Sequence, residues 1–160
     1  MRRSCRVFTL FFLLATGLVA APPAPPPVAS GKVVKVLPHF LDLQGRHALS
    51  PSLYDRDAYQ LELRKHPEKR SGVRFDVLWM GQGATEDAPG VVQVELRGTA
   101  KGDLPTEKKL QMTVRLTGSS QWTKLTLAGA DYQKFGEITA WRVTVWAGNE
   151  MIGEQKSFLW

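Results

Sequence analysis

From Gly31 onward the apolar residues recur mostly at every second position, the period of a strand with one face turned to a core. Val73, Phe75, Val77 and Trp79 alternate with Arg74, Asp76 and Leu78. Val92, Val94 and Leu96 alternate with Gln93, Glu95 and Arg97, and Leu110, Met112, Val114 and Leu116 with Gln111, Thr113 and Arg115. Thr123, Leu125 and Leu127 continue the series, followed by Trp141, Val143 and Val145 against Arg142 and Thr144. An opening strand over 32–43 and a closing one over 150–158 complete a prediction of seven half-buried antiparallel strands. Gly148-Asn149 is a two-residue hairpin signal, because both residues tolerate positive φ, and it makes the last two strands neighbours. Residues 81–90, 101–106 and 118–120 read as turns.

One segment breaks the alternation. Over 52–66, Ser52 stands as an N-cap with Asp55 three residues on, Leu53, Ala58 and Leu61 share one face, and Arg64, Lys65 and His66 precede Pro67. The pattern predicts a short helix between the first and second strands. Its alternative over 57–64 is a strand carrying Tyr59, Leu61 and Leu63. Cations in a last helical turn complement the macrodipole, which accounts for Arg64 and Lys65 without a ligand.

Seven short antiparallel strands punctuated by turns, several with a tryptophan of buried type, predict a mainly β chain folded as a two-sheet sandwich. In architecture, residues 32–160 resemble immunoglobulin-like and fibronectin type III-like sandwiches. The Cys, Trp, Cys framework of antibody domains is absent, and the nearest counterpart of their corner tyrosine is Tyr132 in GADYQKFG. The resemblance implies a fold and no activity.

The start of the chain has a different character. Arg2, Arg3 and Arg6 precede an apolar run over 7–21, a secretory signal pattern whose helical length falls short of the hydrocarbon core and so favours cleavage over a permanent span. Residues 1–21 are therefore expected to be a signal peptide, cleaved near Ala20 or Ala21, and the protein to be periplasmic or secreted. An uncleaved signal anchor would be its only membrane attachment. Residues 22–31, beginning with a proline cluster over 22–27, are expected to form an extended tether, and 32–160 a single domain.

Charge and thiols narrow the chemistry. The chain carries 21 Lys and Arg against 15 Asp and Glu, a net +6 to which the three leader arginines contribute. Acidic residues are interspersed with basic ones along the rest, which argues against nucleic acid. The basic run Arg64, Lys65, Lys69, Arg70 and Arg74 is diluted by Glu62, Glu68 and Asp76 and reads as a solvated helix end. The single cysteine, Cys5, lies in the leader, so no disulfide or thiolate chemistry is expected downstream.

No G-x-S-x-G elbow, phosphate-binding glycine loop or facing carboxylate pair is present, and neither an enzyme nor a cofactor is expected. The weak metal candidates are His39, Asp42 and His47, which a curled loop could gather. The aromatic candidates are Trp146 and Trp122. Each is out of phase with the core residues of its strand and is expected on the opposite, exposed face, where a tryptophan can stack on a sugar or anchor a partner.

The expectation is a non-catalytic extracytoplasmic module, binding or structural, that engages an envelope protein through the sheet of the fifth to seventh strands. The alternative is a carbohydrate-binding module using an exposed tryptophan. Less favoured are a metal-dependent enzyme and a small outer-membrane barrel, in which Glu154 and Lys156 would fall on the lipid face.

Overall fold

The computed structural model describes residues 28–85, 87–100 and 103–160. The expected signal peptide, and the tether as far as Pro27, lie outside the described residues. The elements run β1 (Ser30–Asp42), α1 (Leu53–Lys65), a single 3₁₀ turn (Pro67–Lys69), β2 (Arg70–Gln82), β3 (Ala88–Ala100), β4 (Leu104–Ala128), α2 (Gly129–Phe135), β5 (Glu137–Ala147) and β6 (Glu150–Lys156). The protein is mainly β, and its strands form one antiparallel six-stranded sheet in the order β1-β2-β4-β3-β5-β6.

Six strands replace the expected seven because residues 110–116 and 123–127 belong to the same strand. β4 is 25 residues long; its first half pairs with β3 and its second half with β2. A straight strand of that length would measure about 80 Å. Instead Lys108 Nζ, near its start, is 2.9 Å from Asp131 Oδ2, just past its end, and the Thr106 hydroxyl donates to the Phe135 carbonyl. The chain therefore doubles back. Gly118, with φ of 77°, lies near the middle of β4, where the Gln121 amide group donates to the Arg115 carbonyl and the Thr117 hydroxyl across the bend.

The curl encloses one core. Val73, Phe75, Val77 and Trp79 of β2 face Val92, Val94 and Leu96 of β3 and Val143 and Val145 of β5, as strand parity predicts. Phe75 meets Trp141 edge-on at 6.3 Å between ring centroids, and Trp79 Nε1 donates to Thr123 Oγ1 at 2.8 Å. The two sheet edges, β1 and β6, close on each other without a ladder. A Cβ on Gly153 would lie 2.8 Å from Lys32 Cα, so glycine permits that approach. The hairpin joining β5 to β6 turns at Gly148-Asn149 as expected, with positive φ at Gly148.

α1 is a helix, not the alternative strand, and the Ser52 side chain accepts from Asp55 N as its N-cap. Its orientation corrects the expected packing. Leu53, Ala58 and Leu61 point to solvent, while Leu63 and Gln60 face inward. Gln60 is the docking device: its Oε1 accepts from Phe40 N at 2.8 Å, and its Nε2 donates to the Phe40 and His47 carbonyls. The carboxamide thus acts as a strand neighbour would and caps the outer edge of β1. At the other end of the helix Arg70, itself buried, donates to the carbonyls of Leu63 and Arg64.

α2 was not expected. It buries Tyr132 and Phe135 against the end of the curl, and Phe135 packs against Gly98 of β3.

Candidate functional site

The outer face of β1, β2 and the second half of β4 carries the side chains that point away from the core. The ladder sets His39 beside Arg74, Leu37 beside Asp76, and Leu78 beside Trp122. The loop after β1 brings His47 against His39 on this face, α1 docks along the outer edge of β1, and Trp122 is exposed on β4.

Two of the three metal candidates come together there. The rings of His39 and His47 are 5.3 Å apart between centroids. The third does not join them. Asp42 turns into its own loop, accepting from the backbone N–H of Gln44 and Arg46, from Arg46 Nε and from the Tyr59 hydroxyl. The acid nearest the histidines is Asp76, 3.8 Å from His39 Nε2, and both its oxygens are held by Arg74 at 2.7 and 2.8 Å. Among the described residues no group of three His, Cys, Asp or Glu is placed to hold a metal ion.

Charge on this face follows from burial. Burial lowers the pKa of His39; Asp76 offsets part of that, and His47, Arg56 and Arg74 push it lower still. His47 is lowered in the same direction, by burial first and then by Arg74. Burial alone would raise Asp42, but the hydrogen bonds from Arg46, Tyr59 and Gln44 outweigh it and hold the carboxyl at about 2.

The tryptophan candidates lie in different parts of the sheet. Trp122 is 53% exposed on β4, opposite Leu78 of β2. Trp146 lies between Val91 of β3 and Met151 of β6, is only partly exposed, and donates its Nε1 to Thr144 Oγ1 at 2.8 Å. The sequence placed both on one sheet of three late strands. The structure separates them, because residues 123–127 pair with β2 rather than with β5.

The basic run is consumed internally. Lys69 pairs with Glu62, Arg74 with Asp76, and Arg70 is buried rather than solvated. Arg64 and Lys65 remain exposed in the last turn of α1, as the macrodipole reading has it.

Besides Phe158 and Leu159 near the C-terminal end, exposed apolar side chains gather on α1 and the loop before it, a surface that strand parity does not point to. Tyr54 is 82% exposed, Leu53 67% and Leu61 48%, with Leu49 beside them at 61%. Leu49 and Leu53 share a shallow depression with His47 and Arg56. Arg56 lines that depression and also lowers the pKa of His47, which ties the patch to the histidine pair.

No protein-family model matches this sequence, and neither a curated protein nor a solved structure matches it.

Proposed function

We propose that the protein is a non-catalytic extracytoplasmic binding module that engages a protein partner through the outward apolar stripe of α1. One observation supports this above the others: a helix with Leu53, Tyr54 and Leu61 in water while its inward face holds a glutamine and a single leucine. A helix that only covered a sheet would have its apolar stripe the other way round. Contiguous exposed apolar side chains of this kind are the usual mark of a docking surface. Residence outside the cytoplasm is supported by the basic start and apolar run of residues 1–21. Kinship with immunoglobulin-like two-sheet sandwiches belongs to the same proposal, and the doubling back of β4, which lays one half of the sheet over the other, supports it.

The test is recovery of bound proteins from the native envelope by the tagged full chain and by a Leu53→Ser/Tyr54→Ser/Leu61→Ser variant. The variant should melt close to the wild type, since the replaced side chains are largely exposed, and should lose a protein that the wild type retains. Equal recovery by both chains would sink the proposal.

A glycan reading is favoured only by Trp122, whose exposed ring stands on β4 between Ser120 and Lys124, opposite Leu78 of β2. Affinity electrophoresis in polysaccharide gels, with retardation abolished by Trp122→Ala, would support it over the protein-partner reading.

A further inference from the structure

β1 and β6 are sealed together at Lys32 and Gly153, but the two edges part further along, where β6 ends at Lys156. Between Phe40 of β1 and Trp141 of β5 this leaves a cleft of about 290 Å³ that reaches the core. Its floor is Phe75 and Val73, and Ile138 forms part of the wall. The volume lies at the small end of ligand pockets, enough for one short chain or one ring and too little for a two-chain lipid.

The walls are held in place before any ligand arrives. Arg70 stands 4.0 Å over the Phe40 ring. Trp141 is fixed through its backbone: its N–H donates to Ser157 Oγ at 3.0 Å, and its carbonyl accepts from Ser157 N at 2.9 Å. A preformed apolar cleft loses little conformational freedom on binding. Its chemistry has a sign as well. No carboxylate lines it, and the one charged residue at its rim, Arg64, makes no ion pair among the described residues.

From these features we infer a second binding site: the cleft takes the apolar body of a small carboxylate amphiphile, whose headgroup meets Arg64. This does not rest on the partner-binding reading, because the α1 stripe and the cleft share no residue.

The probe is decanoate, titrated below its micelle concentration into the protein as it folds and followed by amide and indole NMR shifts. Saturable shifts should centre on Ile138, Trp141 and Ser157. Arg64→Gln should weaken decanoate about two- to fivefold, the range of a partly exposed ion pair, and leave the neutral analogue decanol unchanged. Thr139→Trp, a substitution at the exposed rim, should block both ligands and shift the melting curve only slightly, since the one bond it removes, from Thr139 Oγ1 to the Arg97 carbonyl, is exposed. Shifts that stay linear up to the onset of micelles, or that centre elsewhere, would overturn the site. Equal decanoate affinity in wild type and Arg64→Gln would overturn its preference for anions.

Discussion

The guanidinium carbon of Arg70 lies 4.0 Å from the centroid of the Phe40 ring, at the point where α1, β1 and β2 meet. The same group donates to the Leu63 and Arg64 carbonyls, which the end of α1 leaves without helical partners, and reaches Glu137 of β5 at 3.3 Å. Burying a cation is costly unless its donors are satisfied, and here carbonyls, an aromatic face and a carboxylate surround it. Glu137 is largely exposed, so the carbonyls and the ring matter more. Arg70→Met should therefore destabilise the fold by about 2–4 kcal/mol in urea unfolding, since it strands two carbonyls. Arg70→Lys should recover only part, because an ammonium cannot span both carbonyls and still cover the ring.

Gln60 makes a separate prediction about the sheet edge. Removing its carboxamide in Gln60→Ala leaves Phe40 N–H and the Phe40 and His47 carbonyls without their partner. The expected loss is about 1–3 kcal/mol. Hydrogen exchange locates it: the Phe40 amide should lose protection first, while the amides of β3 keep theirs. Unchanged exchange at Phe40 would mean that water satisfies the edge equally well.

Strand parity makes β2, β3 and β5 legible in the sequence, because their inward residues are almost all apolar while Arg74, Asp76, Gln93, Glu95, Arg97, Arg142 and Thr144 alternate with them. The cap at Ser52 was legible for a similar reason, as a local side-chain to backbone bond. The join within β4 was not. Gly118, Ser119 and Ser120 have the composition of a turn, and here they form a bend that the ladder crosses. α2 is not legible because it has seven residues and no side-chain cap at Ala128, so nothing local announces it. The orientation of α1 departs from the expected one because apolar residues stand on more than one of its faces. What decided it was the hydrogen-bonding demand of a distant strand edge, met by Gln60, which no periodicity within the helix records.

The tryptophans separate by depth. Trp79 is fully buried with its indole N–H on Thr123, so Trp79→Ala should cost about 3–5 kcal/mol. Trp122→Ala should stay within about 0.5 kcal/mol, as expected for an exposed position. Trp146→Ala should fall between them, at about 1–2 kcal/mol, since it removes a partly buried ring and the bond to Thr144. Equal costs at Trp122 and Trp146 in parallel thermal melts would contradict their different burial.

His39 gives the outer face a dependence on pH near neutrality. Burial holds its pKa below 6.5, against the pull of Asp76 and helped by His47, Arg56 and Arg74. The fold thus favours the neutral ring. The stability this confers is complete above pH 6.5 and is lost as pH falls from 6.5 through the folded value. NMR titration of the ring Cε1 proton should give a midpoint below 6.5 for His39. Asp76→Asn should move that midpoint lower still, because the one group that raises it is gone. An upward movement would show that Asp76 is not the neighbour His39 senses.

Asp42 acts in a more acid window. Its carboxylate accepts four hydrogen bonds from Gln44, Arg46 and Tyr59, which bring its pKa to about 2 despite the opposing effect of burial. With the folded value depressed, the contribution is present above the unfolded pKa near 4 and disappears as pH falls through about 2. Asp42→Asn keeps the shape but cannot ionise, and it should cost about 2 kcal/mol at pH 7, the worth of hydrogen bonds to a charged acceptor. The gap between wild type and variant in urea midpoint should then shrink steadily from pH 4 to pH 2. A gap that stays constant over that range would mean that the loop is held by its backbone bonds alone, whatever the charge at Asp42.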